Sequence, residues 1–412
     1  MIKNNSKMRS LDLTPTPEIL SVLESVNITP IQCVAELVDN CLDNFQETKN
    51  EAGLVTIEVD GTTLRISDNG SGMSVDTLEK SLKAGFSSKS KIGQLGLFGV
   101  GFNVACARLG RVAWVTTKVA NEKEWKQVKI DLDEMVKTQS FRVEPKIVGQ
   151  YAEMESGTVI EIELNKQHLT NFNRPKYLAD LSIQLGRIYT YILRDGVPGL
   201  SGKSQGSPLP IQIIVDKKAV KPHLPCIWSE KRSTTYNRDS VEAVQYFDVP
   251  LGDASVCENC GSWENASSGS CEICGSRELQ ITSRSVWGWV GVHRFLDTNK
   301  FGLDFIRNGR TIKQSDKNIF EFEDPDSGAV DREYPIEMPA ERGRIVGEVH
   351  CDHVSVDLVK TNFVDGRQWD GAIKIVRGET ALKPRGRREI NESPLAIIYS
   401  TFRRNDPGFR YL

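Results

Sequence analysis

Residues 36 to 43 read Glu-Leu-Val-Asp-Asn-Cys-Leu-Asp. At about 100° per residue on a helix, Glu36, Asn40 and Asp43 share one face, while Val34, Leu37, Val38, Cys41 and Phe45 point the other way. The helix therefore buries one side and offers a carboxylate, an amide and a carboxylate along the other. A carboxylate at i and an amide at i+4 lie about one turn apart. Glu36 can then hold a water for in-line attack as general base, and Asn40 can ligate a partly hydrated Mg²⁺ on phosphates. Taken alone, Glu-x-x-x-Asn is more often the solvated face of an amphipathic helix. The motifs downstream reverse that weighting.

After this helix, Leu54 to Asp60 and Thr62 to Ser67 alternate as two strands about Asp60-Gly61, a hairpin signal that delivers Asp68 to the edge of a pocket. Ser74 can cap a helix running to Lys83. A loop then carries Gly85, Ser87, Ser88, Lys89, Lys91, Gly93, Gly96, Gly99 and Gly101 into a helix from Phe102 to Leu109. Glycines leading into a helix let backbone amides point at phosphate oxygens beside a positive helix end. The run lacks the Gly-Lys-Ser/Thr of a P-loop, and its setting does not match a strand-turn-helix dinucleotide fold. With Glu36, Asn40 and the Asp-x-Gly-x-Gly of Asp68, Gly70 and Gly72, it describes an ATP site. Strands at Val112 to Lys118, Gln127 to Leu132 and Thr158 to Leu164 complete a mixed sheet with helices on one face, an α/β (α+β) sandwich that closes near residue 170.

Length and charge set the frame. The 412 residues suggest two or three domains, and 39% apolar residues suffice for packed cores. With 55 acidic and 52 basic residues, net −3, nothing global favours nucleic acid or a membrane surface. Met1 to Ser10 has no apolar h-region and no long apolar run follows, which reads as an intracellular, soluble protein.

Four of the nine cysteines, Cys257, Cys260, Cys271 and Cys274, form C-x2-C…C-x2-C around a ten-residue spacer rich in Gly and Ser. Each pair is followed by Gly-Ser, which supplies the tight turns that close thiolates on structural Zn²⁺; a redox dithiol pair is the alternative. His350, Cys351 and His353 read as ordinary strand residues, because alternation sends His350 and Cys351 to opposite faces. Residues 175 to 195 read as one amphipathic helix linking to a second unit. Strand signals at Ile211 to Val215, Val244 to Val249, Ser285 to Val292, Gly302 to Ile306 and Ile345 to Val349 frame that unit, with the zinc element between the second and third. The stretch from Lys383 carries Arg385, Arg387, Arg388, Arg403 and Arg404; a solvated helix face is its ordinary explanation.

The ordered motifs resemble the GHKL superfamily of ATPases, shared by type II topoisomerases, MutL, histidine kinases, a class of heat-shock chaperones and the MORC proteins. Glu36 to Asn40 is similar to the first motif, Asp68 to Gly72 to the adenine motif, Gly93 to Gly101 to the ATP lid and Gly157-Thr158 to the fourth. Gly85-Phe-Ser-Ser-Lys89, Gly99-Val-Gly-Phe102 and Ala107-Arg-Leu-Gly110 look most like MORC ATPases. Phe305 to Ile312 and Asp357-Leu-Val-Lys-Thr-Asn-Phe363 are similar to strands of the MORC transducer, the β-α-β domain that follows the Bergerat-type ATPase fold. The resemblance implies that Asp68 accepts the adenine amino group with Thr158 in support, and that Asp43, Gly70, Gly72 and Met73 also bind the nucleotide. It also implies that Gly99 and Gly101 bring the lid onto the phosphates, and that Lys89, Gly96, Leu97, Phe98, Val100 and Phe102 bind the nucleotide. Lys360 is the match for the transducer lysine that reaches the γ-phosphate. Asn103 stands where MORC lids usually carry a lysine, so Lys89 or Lys91 takes that contact.

The expected organisation is an N-terminal segment 1–27 that straps a dimer, an ATP-binding domain 28–172 and a linker helix 173–200. A transducer domain 201–384 follows, with a zinc ribbon inserted at 253–278, and then a basic helical segment 385–412. The expected activity is ATP hydrolysis with Mg²⁺ that gates homodimerisation, a conformational switch or clamp with DNA as partner through the ribbon and the Arg-rich end. The alternatives are a topoisomerase- or MutL-type ATPase subunit acting with a separate nuclease, a non-hydrolysing nucleotide-binding scaffold and a protein remodeller. The expected location is the cytoplasm of a prokaryote, or the nucleus in a eukaryote.

Overall fold

The computed structural model describes residues 16–402 apart from 51, 84–92, 97–98, 208, 229–230, 237–238, 325–326, 336–340 and 383–389. Two sheets organise the chain. The first has eight strands in the order Lys146–Ile147, Lys126–Asp131, Val112–Lys118, Gly157–Glu163, Thr63–Asp68, Gly53–Asp60, Ile211–Val215 and Lys218–Ala219. Its pairings are antiparallel except between Gly53–Asp60 and Ile211–Val215, which run parallel.

Helix Pro30–Thr48 packs against this sheet. It starts where the Thr29 hydroxyl accepts from Gln32 N and the Gln32 side chain accepts from Thr29 N, with Pro30 in the first turn; it ends at Lys49 in the left-handed region. Val34, Leu37, Val38, Cys41, Leu42 and Phe45 enter the core with Val55, Ile57, Leu64, Ile66 and helix Gly101–Leu109. The polar face is not left to solvent: Glu36, Asp39 and Asp43 are also buried. Burying three carboxylates requires partners, and these come from elsewhere in the chain.

The second sheet has six strands in the order Trp263–Asn265, Val244–Cys257, Leu279–Asp297, Gly343–His350, Gly302–Arg307 and Arg310–Asp316. Helices Arg367–Arg377 and Pro394–Phe402 share its core, in which Phe305, Phe320, Val349, Val376 and Tyr399 are buried. Between the sheets, Arg194 and Glu348 form a buried ion pair, with Arg194 Nη2 donating to Glu348 Oε2 at 2.6 Å.

Three features differ from the sequence reading. Strand Ile211–Val215, assigned to the second unit, extends the first sheet, because its apolar residues match register with Gly53–Asp60 and periodicity alone does not choose a sheet. The helix expected over 175–195 breaks into Pro175–Ile188 and Thr190–Leu193 at Tyr189, whose ψ of 20° leaves the helical range. Near the break, a Cβ on Gly186 would lie 2.1 Å from the Lys221 carbonyl oxygen, so only glycine permits that approach. Finally, the described helix in the last segment, Pro394–Phe402, is apolar and belongs to the second core, so it is not a basic surface helix. Arg385, Arg387, Arg388, Arg403 and Arg404 lie outside the described residues. Among the described residues, no helix is long and apolar enough to cross a membrane.

Candidate active site

A cavity of about 570 Å³ lies between helix Pro30–Thr48, the first sheet and the glycine-rich segment, a size suited to a nucleotide. One end is built by strand register. Asp68 pairs with Thr158, and Thr158 pairs with Thr117, so three neighbouring strands bring these side chains together. Thr117 Oγ1 lies 3.1 Å from Thr158 Oγ1 and accepts from Met73 N at 2.9 Å. Asp68 Oδ1 accepts from Gly70 N at 2.9 Å, while the Cys41 thiol approaches Asp68 Oδ2 at 3.6 Å. Asn44 pins the loop by accepting from Ser71 N and donating to Ser71 Oγ, each at 2.9 Å. Asp68, Gly72, Met73 and Thr158 line the cavity; Gly70 sits behind it, where a Cβ would meet Asn44 Oδ1 at 2.2 Å.

The glycine-rich segment closes the other side. Asp43 accepts from Leu95 N and Gly96 N, both at 2.8 Å, so this carboxylate anchors the backbone of that segment as well as lining the cavity. Gly96, Gly99, Gly101 and Phe102 line it too, and Val100 precedes the helix at Gly101. Gly99 has φ +65°, where glycine is favoured. Lys89, Lys91, Leu97 and Phe98 lie outside the described residues. Asn103 donates to the Leu82 carbonyl oxygen at 3.4 Å.

Between the two ends stands Glu36. Lys360 Nζ donates to Glu36 Oε2 at 2.7 Å and to Asp39 Oδ2 at 2.6 Å. Arg310 Nη1 donates to Glu36 Oε1 at 3.0 Å and also to Asp39 Oδ2. The Tyr189 hydroxyl, at the helix break, donates to Asp39 Oδ1 and to the Ala35 carbonyl oxygen, each at 2.8 Å. Two carboxylates and two cations thus form a buried, charge-balanced quartet, the condition under which desolvation of such groups is tolerated. Burial opposes the charge on Arg310, but the Asp39 and then the Glu36 carboxylates hold its guanidinium above the ordinary arginine range. Burial and the Asp39 carboxylate raise the Tyr189 phenol well above its usual value, so it remains a donor.

Glu36, Asn40 and Lys360, which the sequence reading picked out, therefore meet at one cavity. Asp39, Arg310 and Tyr189 were missed. Asp39 lies inside the same motif at i+3 from Glu36, which was signal enough to place it on the Glu36 side. Arg310 and Tyr189 carry no local spacing that ties them to it. Asn40 is exposed to the cavity one turn from Glu36, and its amide oxygen fits a ligand for Mg²⁺ carried on phosphates.

The Cys257, Cys260, Cys271 and Cys274 thiols lie within 4.8 Å of one another. Sγ separations of 3.5 Å for Cys257 and Cys274 and 3.4 Å for Cys260 and Cys271 match the edges of a small tetrahedron. Gly261 at φ +76° and Gly275 at φ +72° make the two turns, donating to the Cys257 and Cys271 carbonyl oxygens. An all-thiolate set of this shape fits Zn²⁺. His350 instead stacks on Trp287 at 3.7 Å, and among the described residues the four cysteines are the only such metal-ligating group.

Known proteins share part of this sequence. Residues 28–158 match the family described as histidine kinase-, DNA gyrase B- and HSP90-like ATPase. The mouse MORC family CW-type zinc finger protein 3 is 29% identical over 182 residues, 43% of this chain and 19% of that protein. The Arabidopsis thaliana proteins MICRORCHIDIA 1 and MICRORCHIDIA 3 are 35% and 34% identical over 88 and 80 residues, 21% and 19% of this chain and 14% of each relative. The similarity thus spans less than a fifth of the length of each relative.

Proposed function

We propose, from the premise that residues 28–158 are a GHKL-type ATPase domain of the MORC kind, that this chain binds and hydrolyses ATP and uses the nucleotide state to set the angle between its two sheets. The observation that carries the reading is the convergence of Lys360 and Arg310, both from the second unit, on Glu36 at the cavity. In this role Glu36 accepts the proton of the attacking water, Asp68 and Thr158 orient the adenine, and Asp43 holds the lid at Leu95 and Gly96. Asn40 would hold Mg²⁺, which supplies electrostatic stabilisation of the phosphates when bound.

Lys360 supplies the link to movement. Its ammonium rests on two carboxylates, and a triphosphate in the cavity competes for it. A ligand shifts a conformational equilibrium only through such a differential contact. Moving Lys360 from Glu36 toward phosphate turns the second unit relative to the first and releases one Glu36 oxygen. We assign ATP-dependent homodimerisation as the consequence and DNA as the partner, by analogy with MORC-type ATPases. The zinc ribbon is poorly suited to hold that DNA: residues 253–278 carry Asp253, Glu258, Glu264, Glu272 and Glu278 against Arg277 alone.

The test is mass by light scattering together with phosphate release, for wild type and Glu36→Ala, without nucleotide, with ADP and with ATP and Mg²⁺. ATP-dependent dimerisation, with the variant binding ATP yet failing to turn over, is the expected result. Turnover in Glu36→Ala equal to wild type removes Glu36 as the base, and a mass indifferent to nucleotide removes gated dimerisation.

A further inference from the structure

The strands Gly302–Arg307 and Arg310–Asp316 are joined by Asn308 and Gly309, whose φ values of +49° and +82° make a tight two-residue hairpin turn. The turn is braced from its own unit. Arg307 Nε donates to the Val354 carbonyl oxygen at 3.1 Å, and Asn308 N donates to Asp352 Oδ1 at 2.7 Å. Its tip reaches three parts of the first unit. Asn308 Nδ2 donates at 2.8 Å to the carbonyl oxygen of Gln94, immediately before the lid amides that Asp43 holds. Arg310 grips Glu36 Oε1 and Asp39. Gly309 packs so closely on the linker that a Cβ there would lie 2.9 Å from Ile192 Cγ1.

Resting on the ATPase reading above, we infer that this turn is a second coupling element, separate from the Lys360 segment, in which Asn308 sets the lid and Arg310 is a positioning residue for Glu36. Lys360 holds Glu36 Oε2 and is the cation that phosphate competes for. Arg310 holds the other oxygen, and among the described residues its Nε–H is buried without a hydrogen-bond partner. When Lys360 leaves, Arg310, itself held by Asp39, still fixes the orientation of the Glu36 carboxylate. Because one rigid turn carries both Asn308 and Arg310, lid position and base orientation move together. Asp43 and Asn308 grip adjacent parts of the lid from opposite units, so a lid displaced by nucleotide pulls on the turn.

The experiment separates the two roles by steady-state kinetics and nucleotide titration on the full chain. Asn308→Ala should raise KM for ATP by about five- to tenfold, the loss of one hydrogen bond, and more than it lowers kcat. Arg310→Met should lower kcat by at least about tenfold, more than it weakens nucleotide binding, and Arg310→Lys should recover part of that loss. Hydrogen exchange at the Leu95 and Gly96 amides, which needs no turnover, should quicken in Asn308→Ala. If Arg310→Met does not fold, Arg310→Lys still reads the kcat effect. Wild-type turnover that survives Glu36→Ala sinks the base assignment. Turnover lost in Glu36→Ala but intact in both Arg310 variants, or lid exchange unchanged in Asn308→Ala, overturns the role of the turn alone.

Discussion

Lys360 Nζ lies 2.7 Å from Glu36 Oε2, joining two residues 324 positions apart in the chain. Both side chains are nearly excluded from solvent, at 3% and 5% exposure. The contact makes the state of the first unit's carboxylate depend on the placement of the second.

Lys360→Met should therefore act without nucleotide present. It leaves Glu36 and Asp39 sharing Arg310, and removing one partner of a buried charge network costs about 3–5 kcal/mol. The melting temperature of the nucleotide-free protein should fall by several degrees, and turnover should fall with it. Scanning calorimetry of this variant beside wild type reads the first effect; an unchanged melting point would mean that the quartet does not hold the units together.

Gly101→Ala should disturb Glu36 without removing it. A Cβ at this position would meet Glu36 Oε2 at 2.7 Å, the oxygen that Lys360 holds. Alanine favours a helix over glycine by about 1 kcal/mol, which is less than the cost of breaking up a buried charge network. The variant should melt at a lower temperature and turn over ATP at least about tenfold more slowly because the carboxylate is displaced. Full activity would show that the Glu36 orientation seen here is not the one that matters.

Metal analysis of the purified protein should give about one zinc per chain, and Cys257→Ser or Cys271→Ser should lose it. None of residues 253–278 belongs to either large core. Removing the metal with a chelator should thus unfold the ribbon locally and change the main melting transition little. Loss of the whole transition on chelation would place the ribbon in the core of the fold.

All five histidines, His168, His223, His293, His350 and His353, are held below the ordinary imidazole range, with burial the largest cause in each. The most defined is His353, lowered to about 4. A depressed value means that the unfolded chain takes up protons the folded chain refuses. This part of the stability is complete above about pH 6.5 and is lost as the pH falls from there toward 4. Melting temperature should drop on acidification through that window. His350→Gln should reduce the slope, because His350 is fully enclosed and also faces the Arg194 guanidinium; an unchanged slope would mean that His350 does not contribute.

Much of the site could be read locally. The helical face of Glu36, Asn40 and Asp43, the hairpin that ends in Asp68 and the paired cysteines each depend on spacings within a few turns or one loop. Local spacing misplaced other features. Strand Ile211–Val215 is apolar and alternating, and nothing within it says that it adds to the first sheet in parallel rather than to the second. The helix break at Tyr189 arises where its hydroxyl satisfies Asp39, a contact across 150 residues.

The sequence alone determined the local groups of the site, Glu36, Asn40, Asp43 and Asp68, because a 3.6-residue helical period and a two-residue strand period fix which side chains share a face before any long-range contact forms. The tertiary structure decided how they are paired. Whether Glu36 faces water, a lysine or an arginine depends on where the turn at Asn308 and the loop at Lys360 come to rest. That position is the sum of many packing contacts between two cores and the helices joining them. A buried carboxylate then accepts whichever cation the packing delivers, and no spacing in the chain encodes that choice.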